Sequence, residues 1–174
     1  TGEVRLYRND NGEFVSVGQE MGMPQAGHQQ LRGVGWGDYD EDGFIDLIGG
    51  AFVSDRLTVV LHNEGGSRFE DVAPSLGLTI PGRSSRPTNW VDFDNDGDLD
   101  VYATNRSGPN SLWRSAGGTF TRVAGGPDDP RPTVGACWFD IDGDGDLDVF
   151  LANQSGAADA LWRNDGTSFA DVAP

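Results

Sequence analysis

The sequence predicts an all-β chain built from β-propeller blades of four antiparallel strands, with about three and a half blades present. Three observations lead there. An aspartate ladder occurs three times, as Asp38-Tyr-Asp-Glu-Asp-Gly-Phe-Ile-Asp46, Asp92-Phe-Asp-Asn-Asp-Gly-Asp-Leu-Asp100 and Asp140-Ile-Asp-Gly-Asp-Gly-Asp-Leu-Asp148. A second marker keeps step with it: Leu6, Leu61, Leu112 and Leu161 each stand eight residues before Phe14, Phe69, Phe120 and Phe169. Finally, 26 glycines and 9 prolines among 174 residues require many tight turns, and no apolar stripe of helical period runs through the chain.

The first element is a half-blade hairpin at 4–17, Leu6-Tyr-Arg-Asn leading through a Gly-containing turn to Phe14. Blades follow at 32–73, 87–124 and 134–173. Each opens on a strand carrying Trp36, Trp90 or Trp138, two residues ahead of its ladder. These tryptophans are read as interblade core. The second strand is the short apolar run after the ladder: Leu47-Ile48, Leu99 to Tyr102, or Leu147 to Leu151. The third strand holds Leu57 to Leu61 or its counterparts around Leu112 and Leu161. The fourth begins at Phe69, Phe120 or Phe169. Turns at Gly65-Gly66, Gly117-Gly118 and Asp165-Gly166 suit the hairpins between them. A four-stranded sheet buries both faces only between neighbours, so blades must stack. Polar linkers at 23–27, 80–87 and 125–132 would carry the chain from one blade to the next and present a recognition surface.

The ladder places carboxylates at positions 1, 3, 5 and 9 around a glycine at position 6, with a carbonyl at position 7 facing the same point. Hard oxygen donors in that number suit Ca²⁺. The expected ligands are Asp38, Asp40, Asp42, Phe44 and Asp46 in the first loop. In the second they are Asp92, Asp94, Asp96, Asp98 and Asp100, and in the third Asp140, Asp142, Asp144, Asp146 and Asp148. Phe44, Asp98 and Asp146 enter as the position-7 carbonyl donors. Carboxylates this close repel one another without a cation among them. Three Ca²⁺ are therefore expected, and they should stabilise the fold. An EF-hand would need a glutamate at position 12, where Gly49, Ala103 and Leu151 stand instead.

Composition narrows the function. The net charge is −16, and the 12 basic residues are all arginine. That opposes nucleic acid and anionic membranes, and excludes a P-loop or Schiff-base lysine. No run approaches a membrane span. Cys137 is the single cysteine and reads as a small buried hydrophobe. The leucine register sets His62 level with Tyr7, Trp113 and Trp162, as a packing residue. His28, Arg83, Arg86 and Arg131 read as solvated loop residues. Asn105-Arg-Ser107 and Asn153-Gln-Ser155 read as turn chemistry rather than glycosylation sites. The close carboxylate pairs all fall inside the ladders, so no catalytic set emerges and no enzyme is expected.

The ladders with their flanks, such as Trp36-Gly-Asp-Tyr-Asp-Glu-Asp-Gly-Phe-Ile-Asp-Leu, resemble FG-GAP/VCBS repeats, which build integrin-α-like propellers. Ile48-Gly-Gly-Ala51 is similar to that family's Gly-Ala-Pro segment, with Phe52 in place of proline. Leu-Tyr-Arg-Asn with Gly-x-Phe and Asp-Val-Ala resembles the bacterial subgroup found beside ASPIC/UnbV domains. The resemblance implies a calcium-stabilised propeller of about seven blades, of which this chain would be a segment. It also implies an extracellular or periplasmic setting and a binding role. The expected partner is another protein or a larger extracytoplasmic complex. The alternatives are a lectin-like propeller that binds glycans and the scaffold of a polysaccharide-degrading enzyme.

Overall fold

The structure, a computed structural model, describes residues 4–23, 31–53, 56–78 and 85–173. His28, Arg83 and most of the linkers at 23–27 and 80–87 lie outside them. Fourteen strands are present among the described residues, and no helix. The strands are β1 (Tyr7–Asp10), β2 (Glu13–Ser16), β3 (Leu31–Gly37), β4 (Asp46–Val53), β5 (Arg56–Asn63), β6 (Phe69–Asp71) and β7 (Ser85–Val91). They continue as β8 (Asp100–Asn105), β9 (Ser111–Ala116), β10 (Thr119–Arg122), β11 (Thr133–Phe139), β12 (Asp148–Asn153), β13 (Ala160–Asn164) and β14 (Phe169–Asp171). They pair as one two-stranded and three four-stranded antiparallel sheets, each a simple meander in chain order. That is the half-blade and three blades expected.

Turn chemistry sets the hairpins. β1 and β2 join through Asn11-Gly12, both with positive φ, the two-residue turn that matches strand twist. Gly117-Gly118 makes the same turn between β9 and β10. The longer β5–β6 connection closes on Glu64 N–H donating to the Arg68 carbonyl at 2.8 Å.

Side chains alternate between the two faces of each blade, so every blade contributes to two cores. Leu47, Val59 and Leu61 face back toward Leu6 and Met23 beside the first hairpin. Their neighbours Ile48 and Val60 face forward onto Val101, Ala103 and Trp113. Tyr102 and Leu112 then face forward onto Val149, Leu151 and Ala160. Aromatic pairs join the blades. Tyr39, at position 2 of the first ladder, stacks on Trp90 with centroids 5.5 Å apart and planes 6° from parallel. Trp138 meets Tyr102 edge-on at 5.2 Å.

Three expectations change here. Trp90 and Trp138 pack between blades, but Trp36 is 51% exposed, its ring tilted against Phe69 with centroids 6.2 Å apart. Its repeat partner would be the position-2 side chain of a preceding ladder, and the hairpin before it has no ladder. Cys137 is exposed rather than buried. It stands on β11 opposite Phe150, on the face of the last blade that packs against no other described blade. Arg131 is no solvated charge either. Its guanidinium grips the fully buried Asp129, Nη2 to Oδ2 at 2.6 Å, and reaches Asp171 on β14 at 2.8 Å, pinning the linker to the last blade. The amides of Asn105 and Asn153 donate to the carbonyls of Pro109 and Ala158, both at 2.8 Å, which is local turn bonding.

Candidate metal centre

Each ladder is the loop between the first and second strands of a blade, joining β3 to β4, β7 to β8 and β11 to β12. The backbone shapes it in the same way three times. The position-9 aspartates Asp46, Asp100 and Asp148 are fully buried. One oxygen of each accepts the N–H of position 2: Tyr39 at 3.2 Å, Phe93 at 3.0 Å and Ile141 at 2.8 Å. The other accepts an N–H at the end of the third strand: Asn63, Ser115 and Asn164, each at 2.7 Å. The position-1 carboxylates take amides from the far side of the loop. Asp38 accepts from Asp42 and Gly43, and Asp92 from Asp96 and Gly97. Asp140 accepts from Gly143 and Gly145. The position-6 glycines Gly43, Gly97 and Gly145 have φ of +88°, +97° and +96°, a region that disfavours any Cβ.

Folding therefore draws donor atoms together. Carboxylate oxygens lie within 4.8 Å of one another in the sets Asp38–Asp40–Asp46, Asp92–Asp94–Asp96 and Asp140–Asp142–Asp148. A fourth set joins Asp40 and Asp42 to His62. Asp144 belongs to none of these sets; its Oδ1 accepts the Asp146 N–H at 2.9 Å. The position-7 side chains turn elsewhere: Asp98 accepts from Gly117 N–H at 3.0 Å, and Asp146 from Asn95 Nδ2 at 3.1 Å. Asn95 also donates to the Gly145 carbonyl at 3.1 Å, so the second loop is tied to the third.

The charge balance of these loops is poor without a cation. Burial pushes the Asp100 carboxyl up to about 7, against two opposing N–H bonds, and Asp94 and Asp96 push the same way. Burial raises Asp46 and Asp94 as well, the latter with help from Asp96. The Tyr39 hydroxyl is pushed up to about 12, first by burial and then by Asp40, Asp46 and Asp42. Asp94 Oδ1 is buried with no hydrogen-bond partner. An orphaned carboxylate oxygen inside an acidic cup fits a hard cation.

The structure corrects the place of His62. The β6, β10 and β14 chains continue into Val72, Val123 and Val172, whose N–H groups bond to Val60, Leu112 and Leu161. Those three residues are thus equivalent, and so are Leu61, Trp113 and Trp162. His62 is equivalent to Arg114 and Arg163, not to the tryptophans. The eight-residue Leu–Phe spacing concealed this because five residues separate Asn63 from its partner Phe69, against four between Ser115 and Phe120 and between Asn164 and Phe169. Asn63 would have shown the register, since like Asn164 it caps the following Gly turn with its side-chain oxygen. His62 points onto the ladder, Nδ1 lying 3.2 Å from Asp46 Oδ1 and 3.4 Å from Asp40 Oδ2.

Comparison with known proteins bears on this site. The model of an FG-GAP-like repeat matches residues 92–151, which contain the second and third ladders. Cartilage acidic protein 1 of Mus musculus is 34% identical over 116 residues, covering 63% of this chain and 17% of the relative. The Homo sapiens protein is 30% identical over 115 residues, with the same coverage. The Xenopus tropicalis protein is 31% identical over 102 residues, covering 58% of this chain and 15% of its own length. The chain thus spans about a sixth of the relatives it matches.

Proposed function

From a chain that carries FG-GAP-like repeat sequence, we propose a calcium-binding, non-enzymatic propeller module that engages another protein. The observation that carries the calcium reading is the threefold recurrence of one loop framework, with a position-9 carboxylate held by two N–H groups and a carboxylate cluster at each corner. On this reading Asp38, Asp40, Asp42, Asp46 and the Phe44 carbonyl take the first ion. Asp92, Asp94, Asp96, Asp100 and the Asp98 carbonyl take the second. Asp140, Asp142, Asp144, Asp148 and the Asp146 carbonyl take the third. Bound calcium supplies positive charge and fixes the loop corners. The protein's own residues do the rest: backbone amides pre-shape each cup, and the interblade stacks hold the cups in line.

The blades are taken as residues 32–73, 87–124 and 134–173 with a half-blade at 4–17, in a propeller of more blades than these. An interaction role suits the fold, because stacked blades present a rim of loops on a rigid frame. Among the described residues no helix is long and apolar enough to cross a membrane. An extracellular or periplasmic setting fits relatives named for cartilage and sites of an extracellular type, whose calcium affinities are on the order of 10⁻⁴–10⁻³ M. Isothermal calorimetry of the EDTA-stripped chain should show three Ca²⁺ per chain, with a rise in melting temperature on saturation. No heat of binding and an unchanged melting temperature would refute the reading.

A further inference from the structure

We propose that the first ladder, unlike the other two, is a mixed nitrogen–oxygen site that takes a borderline first-row divalent ion such as Zn²⁺ through His62, Asp40 and Asp42. The inference rests on the reading of the ladders as metal loops and concerns which metal the first one selects.

One strand position decides the difference. It is the residue just before the N–H that clamps the position-9 aspartate, and it lies over the ladder in every blade. In the second blade this is visible at close range: Arg114 Nε is 2.6 Å from Asp94 Oδ2 and its Nη2 is 3.0 Å from Asp96 Oδ2. Arg163 Nε stands 3.9 Å from Asp142 Oδ2. A guanidinium only donates hydrogen bonds; it neutralises carboxylates and cannot ligate a cation. His62 occupies the same position over the first ladder, and an imidazole nitrogen is a metal donor. Where the second and third loops carry a resident cation, the first carries a further ligand.

The donor set then changes class. Ligand atoms of His62, Asp40 and Asp42 lie within 4.8 Å of one another, close enough to share one ion. One imidazole nitrogen with carboxylate oxygens is a set that Zn²⁺ and its first-row neighbours accept, whereas Ca²⁺ favours oxygen alone. His62 is 23% exposed at its side chain, so the ring is held in place while the site stays open to solvent on one side.

The test is metal analysis of the stripped chain after dialysis against Zn²⁺ in a large excess of Ca²⁺, for wild type, His62→Gln and Arg114→His. Wild type should retain one Zn²⁺ per chain. His62→Gln should bind Zn²⁺ at least about 10-fold more weakly. Arg114→His should retain a second Zn²⁺. With Co²⁺ as probe, the wild-type visible absorption spectrum should show nitrogen ligation that His62→Gln lacks. Equal Zn²⁺ retention by wild type and His62→Gln would overturn the inference, as would displacement of all Zn²⁺ by Ca²⁺. Bound Ca²⁺ read in the same samples separates the two readings: calcium at the ladders without Zn²⁺ selectivity defeats only this inference, and absence of both ions defeats the metal-loop reading itself.

Discussion

Arg114 Nε sits 2.6 Å from Asp94 Oδ2, so the second ladder already carries a positive charge of the protein's own. The same guanidinium reaches Asp96 at 3.0 Å. Arg114 must move aside, or lose contacts, before an ion takes those oxygens. Arg114→Gln should therefore tighten Ca²⁺ at the second loop by a few-fold, read by calorimetry at low salt. Weaker binding would show instead that the arginine orients the carboxylates for the ion.

The position-9 aspartates have a role that needs no metal. Asp148 is fully buried and accepts from Ile141 at 2.8 Å and Asn164 at 2.7 Å. An asparagine there keeps one acceptor and sets its own N–H₂ against a backbone N–H. Asp148→Asn should cost about 1–3 kcal/mol in urea denaturation with EDTA present. Asp144→Asn, at an exposed position, should change stability by less than about 0.5 kcal/mol in EDTA and weaken only metal binding.

Two buried carboxylates should give opposite pH dependence in EDTA. Burial holds Asp100 up at about 7 in the folded chain, against an ordinary value of 3.8. The folded state binds that proton more tightly, so the contribution is greatest below pH 4 and falls as pH rises toward and through 7. Asp129 differs: burial would raise it, but the bonds from Arg131 outweigh this and hold it below 3.8. Its contribution is present above pH 4 and is lost as pH falls below that. Melting curves from pH 3 to pH 8 should lose their upper slope in Asp100→Asn and their acid limb in Asp129→Asn.

Glycines at blade contacts make a further comparison. A Cβ on Gly37 would lie 2.7 Å from Leu99 Cδ1 and 2.8 Å from Trp90 Cδ1, across the first blade boundary. Gly37→Ala should destabilise by about 1–3 kcal/mol, measured by denaturant titration. A Cβ on Gly135 would meet nothing within 4 Å, so Gly135→Ala should be neutral or gain about 0.4–1 kcal/mol.

Much of this was legible in the chain. The ladders, the hairpin glycines and the alternation of Leu47 with Ile48 are local patterns, and local patterns set strand order and faces. What failed depended on insertions or on neighbours. One extra turn residue between β5 and β6 moved His62 off the tryptophan row and onto the ladder. Trp36 carries the same repeat signal as the partly buried Trp90 and Trp138, and Cys137 offers only its residue type, but burial is decided by the blade next door. Asp129 with Arg131 could not be foreseen, because two residues in a proline-rich linker gave no sign of Asp171 on the last strand.

Asn95 has a consequence for how the corners fill. Its amide spans from the second loop to the Gly145 carbonyl and Asp146 of the third, while the first loop carries Glu41, a side chain with no N–H to donate, at the same position. The second and third corners therefore share one rigid seam, and settling one restrains the other. Their occupancy curves would steepen together and come apart once the seam is cut, leaving the first corner to respond by itself.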